Sequence, residues 1–151
     1  MKAGHTETTA RGATVKNEAL ALDYLLRANG RLKAVEALFG ESLWADVVRE
    51  SQELVELALK GLLRFFQIEV PRIHDVSEVL EQNRDRFPAV IQESLAELVD
   101  ISQNLRRDRE LAFYGSEDVT PHSFYKKKHA QAAQESAAKV VRLCRAACQA
   151  E

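Results

Sequence analysis

Apolar residues recur at steps of three and four along most of the chain. In the first stretch Ala19, Leu22, Leu25, Leu26, Leu32, Val35 and Phe39 keep this spacing, which the 3.6-residue repeat of an α-helix gathers on one face. The pattern predicts a helix over 15–39, with Thr14 as its N-cap and Gly40 as the C′ residue that closes it. Ser42 then caps a second helix carrying Val47, Leu54, Val55, Ala58, Leu62, Phe65 and Phe66. A connection of a few residues makes these two helices antiparallel neighbours. The segment 68–75 contains Pro71 and reads as a loop. Asp75-Val-Ser-Glu78 has the spacing of a capping box and opens a short helix to about Asn83. Pro88 suits the first turn of another helix, which runs to Phe113 or Tyr114 ahead of Gly115. After a loop over 115–120, Thr120 and Pro121 form an N-cap followed by proline at N1, and a last helix extends to about Cys148. Four long helices, one short helix and no strand imply an all-α fold, an antiparallel up-and-down bundle.

One position breaks the pattern. At about 100° per residue, Ile91, Leu95, Leu98, Ser102, Leu105, Arg109 and Ala112 share a stripe. Arg109 therefore projects from the apolar face, whereas Arg107 points nearly opposite and Arg106 to the flank. A guanidinium keeps its charge when buried, so it needs a carboxylate, carbonyls or a bound anion as partner. Two readings stay open. Either Glu53 or Glu56 on the second helix satisfies Arg109 internally, or Arg109 lines a groove.

Composition supports few, long elements. Six glycines and three prolines in 151 residues leave few turns, which excludes all-β and collagen-like folds. The length suits one domain, expected over 14–149 behind a disordered polar tail over 1–13. That tail lacks the apolar core of a signal peptide, and no apolar run approaches a membrane span, so the expected place is the cytoplasm with no membrane contact. The net charge of −2 is uneven: residues 1–103 carry 12 Lys and Arg against 17 Asp and Glu, whereas 104–150 carry nine against five. A basic C-terminal third is the electrostatic footprint of a phosphate or nucleic-acid surface, or a solvated lysine face at Lys126, Lys127 and Lys128.

Cys144 and Cys148 fall in the apolar series of the last helix and read as small buried hydrophobes. The four histidines show no metal-ligand spacing with them, so neither a metal nor a cofactor is expected. His74 precedes the Asp75 cap and suggests a structural hydrogen bond there. His122 and His129 are expected at the surface. Tyr125 reads as a core-edge aromatic, with base stacking as the functional alternative.

Three segments carry a resemblance: Glu50-Ser-Gln-Glu-Leu-Val-Glu-Leu-Ala-Leu-Lys60, Pro71-Arg-Ile-His-Asp-Val76 and Leu105-Arg-Arg-Asp-Arg-Glu-Leu-Ala-Phe-Tyr-Gly115. In this order and spacing the chain resembles the HEPN (higher eukaryotes and prokaryotes nucleotide-binding) family. The resemblance implies a small helical bundle that forms a homodimer, with RNA or nucleotide as ligand. It also implies a toxin–antitoxin setting with a minimal nucleotidyltransferase as partner. The family signature is an arginine, often followed by a polar residue, then four to six residues and a histidine. Here it maps onto Arg109, or onto Arg107 followed by Asp108, and in both registers the histidine position holds Tyr114. The tyrosine that the partner enzyme modifies in one branch maps onto Ser116. Metal-independent RNA cleavage needs a base for the 2′-hydroxyl and an acid for the leaving group, and a phenol, with an ordinary pKa of about 10, replaces imidazole poorly. The expected function is a nucleotide- or RNA-binding interaction module with degenerate catalysis. Its anion site is Arg106, Arg107, Arg109 and Lys60, supported by Glu53, Glu56, Asp108 and His74. The alternative is a metal-independent endoribonuclease toxin acting through Arg109 at a composite dimer site.

Overall fold

The structure, a computed structural model, describes residues 2–70, 72, 75–117 and 120–149, with side chains for 17–70, 72, 75–107, 114–117 and 120–149. Among the described residues it is all-α. The elements are α1 (Lys2–Gly40), α2 (Trp44–Phe65), α3 (Val76–Gln82), a 3₁₀ turn (Arg84–Arg86), α4 (Ala89–Gln92), α5 (Leu95–Tyr114), α6 (Pro121–Phe124) and α7 (Lys127–Ala147). The four long helices of the expected bundle are α1, α2, α5 and α7.

Helix α2 is the centre of the bundle and packs against α1, α5 and α7. Its stripe of Val47, Val48, Leu54, Val55, Ala58, Leu59, Leu62 and Leu63 is buried. Burying a Val or Leu side chain contributes about 1.5–3 kcal/mol, so this stripe is what fixes α2 in the middle. The α1–α2 pair is tight because Gly61 has no side chain: a Cβ there would lie 3.2 Å from the Ala21 carbonyl oxygen and from Tyr24 Cβ. Farther along the same pair, Arg31 lies 3.7 Å from Glu53 and 4.0 Å from Glu50, while Arg49 lies 3.2 Å from Glu53.

The turn between α1 and α2 differs by two residues from the expectation. Helix α1 runs through Gly40, and Ser42 takes the left-handed C′ position at φ 60°. Leu43 N–H donates to the Leu38 carbonyl and Ser42 N–H to that of Phe39, the paired bonds of a Schellman motif. Ser42 is thus consumed in ending α1, and Leu43 occupies the N-cap position of α2 without a side-chain cap bond. At the other end α1 continues back through Thr14 to Lys2. No proline interrupts that stretch, and adding residues to an existing helix is far easier than nucleating one.

Two expected helices are each split. The one over 88–113 breaks at Glu93 and Ser94, after Gln92 Nε2 donates to the Arg84 and Phe87 carbonyls at 3.1 and 3.0 Å. Pro88 is the N-cap of the short α4 rather than a first-turn residue of a long helix. Helix α5 then restarts with Leu98 N–H donating to the Ser94 carbonyl. The expected last helix breaks at Tyr125 and Lys126, both extended. Tyr125 is driven into the core at 2% exposure, and His129 Nδ1 accepts the Lys126 N–H at 2.9 Å, which starts α7 afresh. Among the described residues the bundle therefore has three short α-helices, α3, α4 and α6, where one was expected.

Cys144 in α7 and Cys148 at its C-cap are free and buried. Burial pushes the Cys148 thiol up to about 12. Cys144 is raised further, by burial first and then by its neighbour Cys148. Both behave as small hydrophobes.

Candidate nucleic-acid interface

The candidate residues come from α2, α3 and the second half of α5. On α5, Leu95, Leu98 and Leu105 are buried and Ser102 is half-buried, as the stripe required. The α5 backbone stays helical to Tyr114, so position 109 follows Leu105 by about one turn. The side chains of Asp108 and Arg109 and all of His74 lie outside the described residues.

Arg106 and Arg107 leave the helix in different directions. Arg106 lies over the start of α3, where its Nη1 is 3.5 Å from Asp75 Oδ1. That same oxygen accepts the Ser77 N–H at 2.9 Å and caps α3. The expected cap at Asp75 is present, with its bond made to the second helical residue. Arg107 Nη2 donates to Asn104 Oδ1 at 3.2 Å, back along α5. Lys60 pairs with Glu56 at 3.1 Å, and Glu56 also accepts from Gln52 Nε2 at 3.1 Å. Glu53 belongs to the Arg31–Arg49 network on the α1–α2 face. Tyr114 is 74% exposed at the end of α5.

A narrow cleft runs between α2, α3 and α5. Gln52, Val55 and Glu56 form one wall, Ser102, Leu105 and Arg106 the other, and Val76 closes the end. Of the expected site residues, this cleft brings together Arg106 and Glu56. It also holds a residue that sequence reasoning missed. Gln52 is 4% exposed, and its buried Oε1 has no hydrogen-bond partner among the described residues. Such an acceptor costs roughly 1–3 kcal/mol unless a donor reaches it. The signal in the sequence was weak: a glutamine one position before Glu53, within a polar run.

A second groove of about 220 Å³ lies between α2, α5 and α7, lined by Val48, Ile101, Asn104, Leu105, Tyr125, His129, Ala132, Ala133 and Ser136. His129 is half-buried here, and His122 is exposed. Phe124, 42% exposed, stacks on His129 with ring centroids 5.8 Å apart and planes 11° apart. The base-stacking alternative considered for Tyr125 passes to Phe124, because the Tyr125 ring is buried. Another hollow, of about 540 Å³, lies between Ile68 and Glu69 on one side and α3 on the other. Glu69 and Glu78 line it, and Arg86, the cation among its described lining residues, already donates to the Phe66 carbonyl at 2.6 Å. It is poorly suited to an anion.

Residues 21–147 match the family model described as HEPN domain, which covers most of the chain and the clefts just described. The chain belongs to the HEPN domain family. No curated protein matches it, and no solved structure does. Among the described residues of this HEPN domain, no three or more His, Cys, Asp or Glu are grouped to hold a metal ion. No described helix is long and apolar enough to cross a membrane.

Proposed function

We propose that this HEPN domain binds RNA or a nucleotide as an interaction module, a toxin–antitoxin-type component whose cleavage chemistry is degenerate. The observation that carries the reading is Tyr114. It occupies the register where the family signature places histidine, and it stands 74% exposed at the end of α5. Transfer of a proton from a 2′-hydroxyl near neutral pH calls for an imidazole or an equivalent base. The arginines keep their task without one, because a guanidinium binds phosphate through fixed, paired donors. Arg106 at the cleft, Arg107 on the outer flank and Arg109, about one helical turn after Leu105 in register, form the anion site, with Lys60 and Glu56 beside it. The module acts as a homodimer, and a minimal nucleotidyltransferase is its protein partner.

The test is a pair of assays on the purified chain. Single-stranded RNA binds in a salt-sensitive manner, and Arg109→Ala weakens that binding and flattens its salt dependence. RNA incubated with the protein and a chelator stays intact. Absence of salt-sensitive binding refutes the reading. Cleavage without metal that Arg109→Ala abolishes replaces it with the endoribonuclease.

A further inference from the structure

Leu105 is a wall of both grooves on α5, so the cleft that holds Arg106 and the 220 Å³ groove beneath α7 are neighbours. The second groove has an apolar floor of Val48, Ile101 and Ala133, with Asn104 and Ser136 as polar groups along it. Its volume is below the roughly 300–1,000 Å³ of pockets that enclose a whole drug-sized ligand. It suits one flat ring whose substituents remain outside. The Phe124–His129 stack adds an exposed π-face beside it.

The surrounding charge is positive on two sides. Arg107 is hydrogen-bonded to the groove residue Asn104. Lys126, Lys127 and Lys128 are exposed at the start of α7, one turn from His129. His129 Nδ1 accepts the Lys126 N–H, so in the neutral ring Nε2 carries the proton and is a donor. A groove with an apolar floor, an exposed aromatic ring and flanking cations are what single-stranded nucleic acid meets on its binding proteins: bases stack, and the backbone follows the positive charge.

We propose that this groove is a nucleobase subsite. One unstacked base of a single-stranded RNA lies against the Phe124–His129 pair, with its neighbouring phosphates held by Arg107 and by Lys126–Lys128. The inference rests on the RNA-binding reading and adds the place where a base is taken up.

The experiment titrates the full-length chain against a labelled short single-stranded RNA and against the same RNA with abasic positions, reading fluorescence anisotropy. Phe124 is exposed enough that Phe124→Ala should keep the fold, checked by helical circular dichroism and by Trp44 emission. Phe124→Ala weakens RNA binding by about 5- to 140-fold, the range of one base–aromatic stack. It leaves the salt slope unchanged because no phosphate contact is lost. Phe124→Trp restores the affinity, and abasic RNA does not distinguish Phe124→Ala from the parent chain. If Phe124→Ala binds as tightly as the parent while Arg109→Ala binds weakly, the subsite is refuted and the RNA-binding reading survives. If the parent binds no RNA, both fall. If Phe124→Ala leaves RNA affinity intact but shifts the sedimentation of the protein from dimer to monomer, the groove is a protein interface and the subsite is refuted.

Discussion

Asp75 holds two interactions on one oxygen, and two substitutions separate them. Asp75→Asn retains a side-chain oxygen able to cap α3 and removes the charge that faces Arg106. Asp75→Ala removes both. The Arg106–Asp75 pair spans 3.5 Å with side chains 50% and 36% exposed, so solvent screens it and its loss costs less than about 1 kcal/mol. Loss of the cap bond costs about 1 kcal/mol more. In a chain of this size Asp75→Ala therefore lowers Tm by about 2–8 °C, and Asp75→Asn by less than half of that. RNA binding moves the opposite way. Without the carboxylate, Asp75 no longer competes with phosphate for Arg106 in either variant, and a contact to phosphate that becomes fully made steepens the salt slope by up to about 0.7. Between about 50 and 200 mM salt, both variants then lose about two to three times more affinity than the parent chain. Thermal melts by circular dichroism and anisotropy titrations at the two salt concentrations measure both effects. An Asp75→Asn variant as unstable as Asp75→Ala, or a shallower salt slope in either, refutes the reasoning.

Further outcomes follow from other parts of the bundle. Ser42 holds φ 60°, so Ser42→Gly removes a Cβ penalty and raises stability by about 0.5–1 kcal/mol; an unchanged or lower Tm would show that the turn is not strained. The two thiols make stability fall in alkali. Their ordinary value is 9.0, and Cys148 stands at about 12 with Cys144 higher, so above about pH 9 the unfolded chain releases protons that the folded chain retains. Stability then drops by up to about 1.4 kcal/mol per pH unit for each thiol. Urea unfolding of the parent and of the double variant Cys144→Ala, Cys148→Ala, at about pH 8 and about pH 10, isolates this contribution; curves that shift equally for both proteins contradict it.

The helix faces were legible because they depend only on period. Leu54, Leu98 and Cys144 are buried where spacing placed them. The ends and breaks were not, because they depend on partners distant in sequence or on competing local bonds. Ser42 is a good N-cap residue by chemistry, yet the bonds that finish α1 claim it first. A continuous last helix would set positions 124 and 129 on different faces. The break at Tyr125 and Lys126, made when the Tyr125 ring enters the core, is what lets Phe124 stack on His129. The arginine cluster was readable as an exception to the apolar stripe. Its geometry was not, since the Arg106–Asp75 contact joins residues 31 positions apart through the packing of α3 on α5.

Leu105 is one leucine serving two cavities. Packed interiors compress little, so space gained on one side of this side chain is taken from the other. Anything that presses Leu105 away from the cleft of Arg106 narrows the groove of His129, and the reverse holds with the same free energy, as linkage requires. The partition between the two is thus a shared degree of freedom, and what enters the groove of His129 is felt beside Arg106 through a single hydrocarbon side chain.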